Sequence, residues 1–299
     1  MTDWLAPARL PMPRRTLLAA ALVAPLAAAC AARAPRHADA QERLAAIESG
    51  FDGRLGLFAL DTADGATLAH RGEERFPLCS TFKLVAAAAL LARSTAEPSL
   101  LAERVRYTRA ELVTNSPVTQ EHMAAGMTYA ELSAAALQYS DNTAANLMLR
   151  RLGGPAGLTA YARSVGDTVF RLDRWETELN TAIPGDPRDT TTPAAMAQTV
   201  RRLVLDDALP APQRAQLEAW LRGNTTGATR IRAGVPPSWA VGDKTGAGDY
   251  GTNNDVGVLW PPGRAPVVLA VYTTQRRPDA KARNDVIAEA ARVVAAWRA

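Results

Sequence analysis

The chain has 299 residues, 47% of them hydrophobic and 21% charged, which excludes disorder and fits one large domain or two closely packed ones. Three histidines (His37, His70, His122) and two cysteines are too few and too scattered for an ordinary zinc site, so a metal-dependent hydrolase is not expected. Formal net charge is +4. No basic run is interleaved with aromatics, which leaves a nucleic-acid partner without support.

From the amino terminus, Pro13-Arg14-Arg15-Thr16-Leu17-Leu18 opens an apolar run to Ala29. The run is too short for a membrane span and fits an export signal over residues 1–30, of the twin-arginine kind. The stretch Leu26-Ala27-Ala28-Ala29-Cys30 fits ordinary signal cleavage, or lipidation of Cys30 as the chain's one membrane contact. In either case Cys79 is the sole thiol of the folded part, and an intramolecular disulfide is excluded. An exported, periplasmic protein is expected.

Residues 31–40 read as a polar linker, and apolar spacing predicts a helix over 41–49 that stops at Gly50. Alternation predicts strands over 54–61 and 66–70 around a turn. Helices follow over 80–94, 128–139, 142–152 and 158–165. Residues 170–189 lack any period and read as a long surface loop, a kind that is usually functional in a compact domain. Helices over 192–205 and 212–222 precede strands over 239–244, 256–260 and 267–274, and an amphipathic helix over 279–297 closes the chain. The fold class expected is α/β (α+β): an antiparallel sheet built from both chain termini, flanked by helices, with an inserted all-helical domain. The sheet domain would take residues 41–75 and 222–299, and the helical domain 76–221 with an active-site loop over 171–189.

Three short motifs carry chemistry. Ser80-Thr81-Phe82-Lys83 sets a serine and a lysine three apart at a helix start, on one face. A serine hydroxyl needs a base to become a nucleophile, and a neutral lysine amine can serve. Any helix can contain such a pair, but the chain has only three lysines (Lys83, Lys244, Lys281), and this one sits in an apolar helix. Ser140-Asp141-Asn142 lies between two helices, where, taken alone, a turn with a helix cap is the better explanation. Lys244-Thr245-Gly246 ends a predicted strand and takes the second of the scarce lysines.

In this order and spacing the three motifs match the set of class A β-lactamases and penicillin-binding proteins. Glu176 in Arg174-Trp175-Glu176-Thr177-Glu178-Leu179-Asn180 resembles the deacylation loop of class A β-lactamases alone. The resemblance spans residues 41–299 and points to the chromosomal enzymes of the Burkholderia and Bordetella type. It implies hydrolysis of the β-lactam amide of penicillins and cephalosporins, no cofactor, small-molecule β-lactams as partners and a monomeric protein. A peptidoglycan D,D-peptidase and a non-hydrolysing β-lactam sensor are the alternatives, and both lack the loop.

The resemblance also implies roles. Ser80 would be the nucleophile, and Lys83 and Glu176 the candidates for its base. Ser140 would pass a proton to the leaving nitrogen, and the backbone amides of Ser80 and Ala247 would form the oxyanion hole. Asn142 would hold the substrate's acylamide, and Lys244, Thr245, Gly246 and Arg230 would hold its carboxylate. Glu176 and Asn180 would hold the hydrolytic water. Arg174 and Asp189 resemble the ion pair at the base of the loop, and the Glu176–Thr177 peptide is expected to be cis. Arg230→Ala is expected to impair penicillin hydrolysis with little effect on thermal stability. Asn115 stands where the family commonly has an aromatic gatekeeper, and Asn253 where many members have a carboxylate-binding arginine. Gly248 stands where one carbapenem-hydrolysing group has the cysteine that would pair with Cys79.

Overall fold

The computed structural model describes residues 1–2 and 36–298. The export signal expected over residues 1–30, with Cys30, falls almost wholly outside the described residues. Among the described residues the first helix, α1, covers 36–49 and so starts ahead of the expected residue 41. Ala40 and Leu44 are buried, and the His37 ring lies edge-on to Trp297 at 6.3 Å. The last helix thus gives this polar stretch a face to pack on, which local composition does not reveal.

Five strands form the sheet: β1 (Gly53–Asp61), β2 (Thr67–His70), β3 (Ala240–Ala247), β4 (Asn253–Trp260) and β5 (Val267–Gln275). Their order is β2-β1-β5-β4-β3, with every neighbour antiparallel. β1 pairs along its whole length with β5, from Gly53 opposite Gln275 to Asp61 opposite Val267. The two ends of the chain therefore build one sheet.

Helix α2 (Phe82–Arg93) is the axis of the helical half, with ten of its residues buried. It is surrounded by α3 (Tyr129–Gln138), α4 (Asn142–Leu152), α5 (Gly154–Ser164) and α7 (Ala211–Arg222). A helix enclosed on all sides needs no polar face, which explains its unbroken Ala/Leu run. Between α5 and α7 the chain forms α6 (Pro193–Val204), which covers one face of the sheet. The other face packs Leu55, Leu57 and Leu259 against Leu44 of α1 and against Ile287 and Val294 of α8 (Asn284–Trp297). With both faces covered, β4 and β5 are buried at almost every residue, and their stretches 256–260 and 267–272 read as continuous apolar runs rather than alternating ones.

Two local expectations change. β3 continues to Ala247, because Lys244, Thr245 and Gly246 pair with Val256, Asp255 and Asn254 of β4. The motif therefore lies inside the strand and does not end it. Residues 170–189 do not form a surface loop in the ordinary sense, since Phe170, Leu172, Glu176, Leu179 and Asp189 are buried. The buried charges are matched, Asp189 by Arg174 within the loop and Glu176 by Lys83 of α2, so a segment with a polar sequence can still fold inward. The Glu176–Thr177 peptide is cis.

Candidate active site

Ser80 lies in a short 3₁₀ turn, Cys79–Thr81, that runs directly into α2. Cys79 has φ +42°, a conformation that few non-glycine residues adopt. The turn is held from the sheet side. Asn254 Nδ2 donates to the carbonyls of Pro77 at 2.9 Å and Leu78 at 3.1 Å. Just past the end of β3 the backbone passes so close that a Cβ on Gly248 would stand 2.5 Å from the Asn180 carbonyl oxygen and 2.8 Å from Cys79 Sγ, so a side chain there requires a local shift.

Lys83 is fully buried, and its Nζ stands 2.9 Å from Ser80 Oγ and 3.0 Å from Glu176 Oε1. Nζ also donates to the Ser140 carbonyl at 2.8 Å and to Asn142 Oδ1 at 2.5 Å. Ser140, at φ +57° between α3 and α4, turns its hydroxyl between two lysine Nζ atoms. Its Oγ is 3.4 Å from Lys83 Nζ and 3.1 Å from Lys244 Nζ. Burial lowers the pKa of Lys83 below the ordinary lysine range, against the pull of the Glu176 carboxylate. Burial lowers Lys244 further, and the charges of Lys83 and Arg230 act in the same direction. Burial thus disfavours the charged forms of both lysines, and an anionic ligand in the cleft would favour them.

The loop brings the carboxylate. Glu176 Oε1 accepts from Ser80 Oγ at 3.4 Å, and its Oε2 accepts from Asn180 Nδ2 at 2.5 Å. At the loop's base Asp189 accepts from Arg174 Nε at 2.5 Å and from the amides of Asp173 and Arg174 at 2.7 and 2.9 Å. The Asp189 carbonyl receives the Leu78 amide at 2.8 Å, which ties the loop to the turn that carries Ser80. The Asp189 side chain is 1% exposed, so this is a buried clasp and not a solvated surface pair.

On the cation side, Thr245 Oγ1 lies 2.5 Å from Thr226 Oγ1. Arg230 Nη1 donates to the carbonyls of Gly246 at 3.0 Å and Asn254 at 2.7 Å, and its Nε to Asn284 Oδ1 at 3.1 Å. Arg230 thus reaches the strand that carries Lys244, but it also supports β3 and β4. The expectation that its loss would leave thermal stability untouched is therefore revised, because two carbonyls would lose their donor. Asn253 donates to the same Asn284 Oδ1 at 3.0 Å. Asn142 Nδ2 donates to the Thr114 carbonyl at 2.8 Å, and Asn115 Nδ2 reaches the Ser140 carbonyl at 3.2 Å.

Sequence reasoning missed Asn146, Asn254 and Asn284. Asn146 exchanges two hydrogen bonds with the Glu176 backbone. It stands four residues after Asn142 on α4 and so shares its face, the one signal that could have found it. Asn254 and Asn284 act only through distant carbonyls and side chains, for which sequence has no local sign.

A hydroxyl beside a buried amine, with a carboxylate aimed at both, is the equipment of a serine hydrolase that works by acyl transfer. Comparison with known proteins narrows the class. The profile of the "Beta-lactamase enzyme family" matches residues 39–297. The chain is 59% identical over 253 residues to the carbapenem-hydrolyzing beta-lactamase KPC of Klebsiella oxytoca, covering 84% of this chain and 86% of that one. A β-lactamase structure from Desulfarculus baarsii DSM 2075 superposes with a TM-score of 0.87 at 65% identity, over 88% of this chain and 98% of that one. One from Burkholderia ambifaria gives 0.83 at 57%, over 84% and 96%. The chain belongs to the beta-lactamase enzyme family.

Proposed function

We propose that the protein is a class A serine β-lactamase that hydrolyses penicillins and cephalosporins and so confers resistance to them. The observation that carries the reading is Glu176, which is 5% exposed, 3.0 Å from Lys83 Nζ and 3.4 Å from Ser80 Oγ. A D,D-peptidase or a sensor needs no carboxylate there. Ser80 Oγ attacks the lactam carbonyl and its proton passes to Lys83 or Glu176. The amides of Ser80 and Ala247 receive the negative charge on the carbonyl oxygen. The ring C–N bond breaks as the Ser140 hydroxyl protonates the nitrogen, and Ser140 is resupplied from the ammonium groups beside it. Water held by Glu176 and Asn180 loses its proton to Glu176 and adds to the ester. Ser80 then leaves and recovers its proton.

Lys244, Thr245, Gly246 and Arg230 hold the substrate carboxylate in this reading, and Asn142 its acylamide. Cys79 is a free buried thiol facing Gly248, so penicillins and cephalosporins are proposed in preference to carbapenems. Kinship with the Burkholderia and Bordetella type rests on 57% identity to the B. ambifaria enzyme; the 65% identity to the D. baarsii enzyme shows that such likeness is not peculiar to that type. We further propose a division into a sheet domain (41–75 and 222–299) and a helical domain (76–221), in a monomer exported to the periplasm behind the 1–30 signal. Among the described residues no helix is long and apolar enough to cross a membrane. A chromogenic cephalosporin tests the function: sustained turnover supports it, whereas one equivalent followed by silence points to the peptidase or the sensor.

A further inference from the structure

Behind the loop, and sharing no residue with the Ser80 cluster, lies a cavity of about 550 Å³ between loop residues 182–187 and the ends of β1 and β5. That volume suits a drug-sized ligand. Its walls are of two kinds. Arg54, Arg71, Arg75 and Arg276 supply four guanidinium groups, whereas Pro77, Ile183, Pro184 and Pro187 form an apolar side.

The arginines are not equally occupied. Arg54 pairs with Glu74 at 2.7 Å and stacks on the Phe76 ring at 4.3 Å. Arg71 is held by Glu48 and Glu74. Arg75 is different: its Nη1 donates to the Val169 carbonyl at 3.1 Å and Thr190 Oγ1 at 3.0 Å, and among the described residues no carboxylate pairs with it. Arg276 is 84% exposed and, among the described residues, its one ion pair is with Asp52 at 3.8 Å, a contact too solvated to hold it. Asp186, the one acid in the wall, is taken by Arg188 at 2.7 Å. Two guanidinium groups with donors to spare therefore face an apolar wall. Planar guanidinium groups recognise carboxylates and sulfonates through paired N–H donors.

We propose that this cavity is a binding site for an amphiphilic organic anion, with its carboxylate or sulfonate on Arg75 and Arg276 and its apolar body against Ile183 and Pro184. Inorganic anions offer only the first contact and bind weakly. Because Thr190 follows Asp189, the bond from Arg75 to Thr190 links the site to the base of the loop that carries Glu176.

Isothermal titration of the whole protein with naphthalene-2-sulfonate, without any β-lactam, tests the site independently of the proposed activity. One equivalent is expected to bind, and sodium sulfate to bind weaker by roughly tenfold or more. Arg75→Gln with Arg276→Gln should weaken the naphthalene probe by about tenfold. Ile183→Asp, at a half-exposed position outside every ion pair, should do the same, and it decides the matter if the double variant melts early. Absence of binding, equal binding of sulfate, or unchanged affinity in the variants would overturn the proposal. So would binding that survives them but is lost in Lys244→Ala, which would put the probe in the Ser80 cleft.

Discussion

Asn146 and Glu176 clasp each other reciprocally: the Asn146 Nδ2 donates to the Glu176 carbonyl at 3.0 Å, and the Glu176 amide donates to Asn146 Oδ1 at 3.0 Å. Helix α4 thereby fixes the backbone from which the Glu176 carboxylate hangs. Asn146→Ala should remove both bonds and lower stability by about 1–3 kcal/mol. Turnover should fall with accumulation of acyl-enzyme, since acylation can still draw on Lys83. Wild-type turnover in Asn146→Ala would show that the carboxylate is held by other means.

Two variants separate the halves of the proposed reaction. Ser80→Ala should give no covalent adduct by mass spectrometry after incubation with a penicillin. Glu176→Ala should give a burst of one equivalent and then a stalled adduct, because Ser80 and Lys83 remain while the group that deprotonates water is gone. An adduct on the first variant, or steady turnover in the second, contradicts the assignment.

Arg230 is expected to matter twice. Hydrogen bonds to charged groups contribute about 1.5–3 kcal/mol, so Arg230→Ala should lower kcat/KM for penicillins by roughly ten- to a hundredfold. Thermal unfolding should also move down, since the carbonyls of Gly246 and Asn254 lose their donor. A substrate that lacks the carboxylate separates the two effects: it should be hydrolysed equally well by both forms below the melting temperature. If its hydrolysis falls as far, Arg230 serves only the fold.

The pH dependence follows from the buried lysines. Lys244 has to be protonated to hold a carboxylate, and burial lowers its pKa well below 10.5. KM should therefore rise on the alkaline side at a lower pH than an ordinary lysine would dictate, and Lys244→Arg should flatten that limb. The linkage has the matching sign. With folded pKa values depressed, the unfolded chain binds more protons between those values and 10.5, so stability gains from Lys83 and Lys244 as pH rises through that window. Above about pH 10 the tyrosines oppose this, because burial raises Tyr107 to about 12 and their ionisation favours the unfolded chain. Denaturant melts between pH 7 and 9, compared with Lys244→Met, provide the check.

Cys79 should be inert. Burial pushes its thiol pKa up, and the Glu176, Asp189 and Asp249 charges act in the same direction. Thiolate is the reactive form, so iodoacetamide should label the chain only after unfolding. Rapid labelling of the native protein would mean that the turn beside Ser80 opens.

The sequence by itself determined the elements and the chemistry. Helix and strand periods were enough to propose the fold class, and two lysines out of three falling inside motifs drew attention to Ser80, Lys83 and Lys244, whereas Ser140 and Glu176 were nominated only through the resemblance of the whole motif set to class A β-lactamases. These signals are local: they depend on residue type and spacing within one or two turns. Tertiary structure decided what depends on partners far along the chain. Helix α1 reaches back to residue 36 because Trp297 lies beside His37. β3 extends through Gly246 because β4 pairs with it. The loop folds inward because Asp189 finds Arg174 and the amide of Leu78. Asn146, Asn254 and Asn284 became visible in the same way, since an asparagine acquires a role from the carbonyl or amide opposite it, and sequence spacing does not specify which one that is.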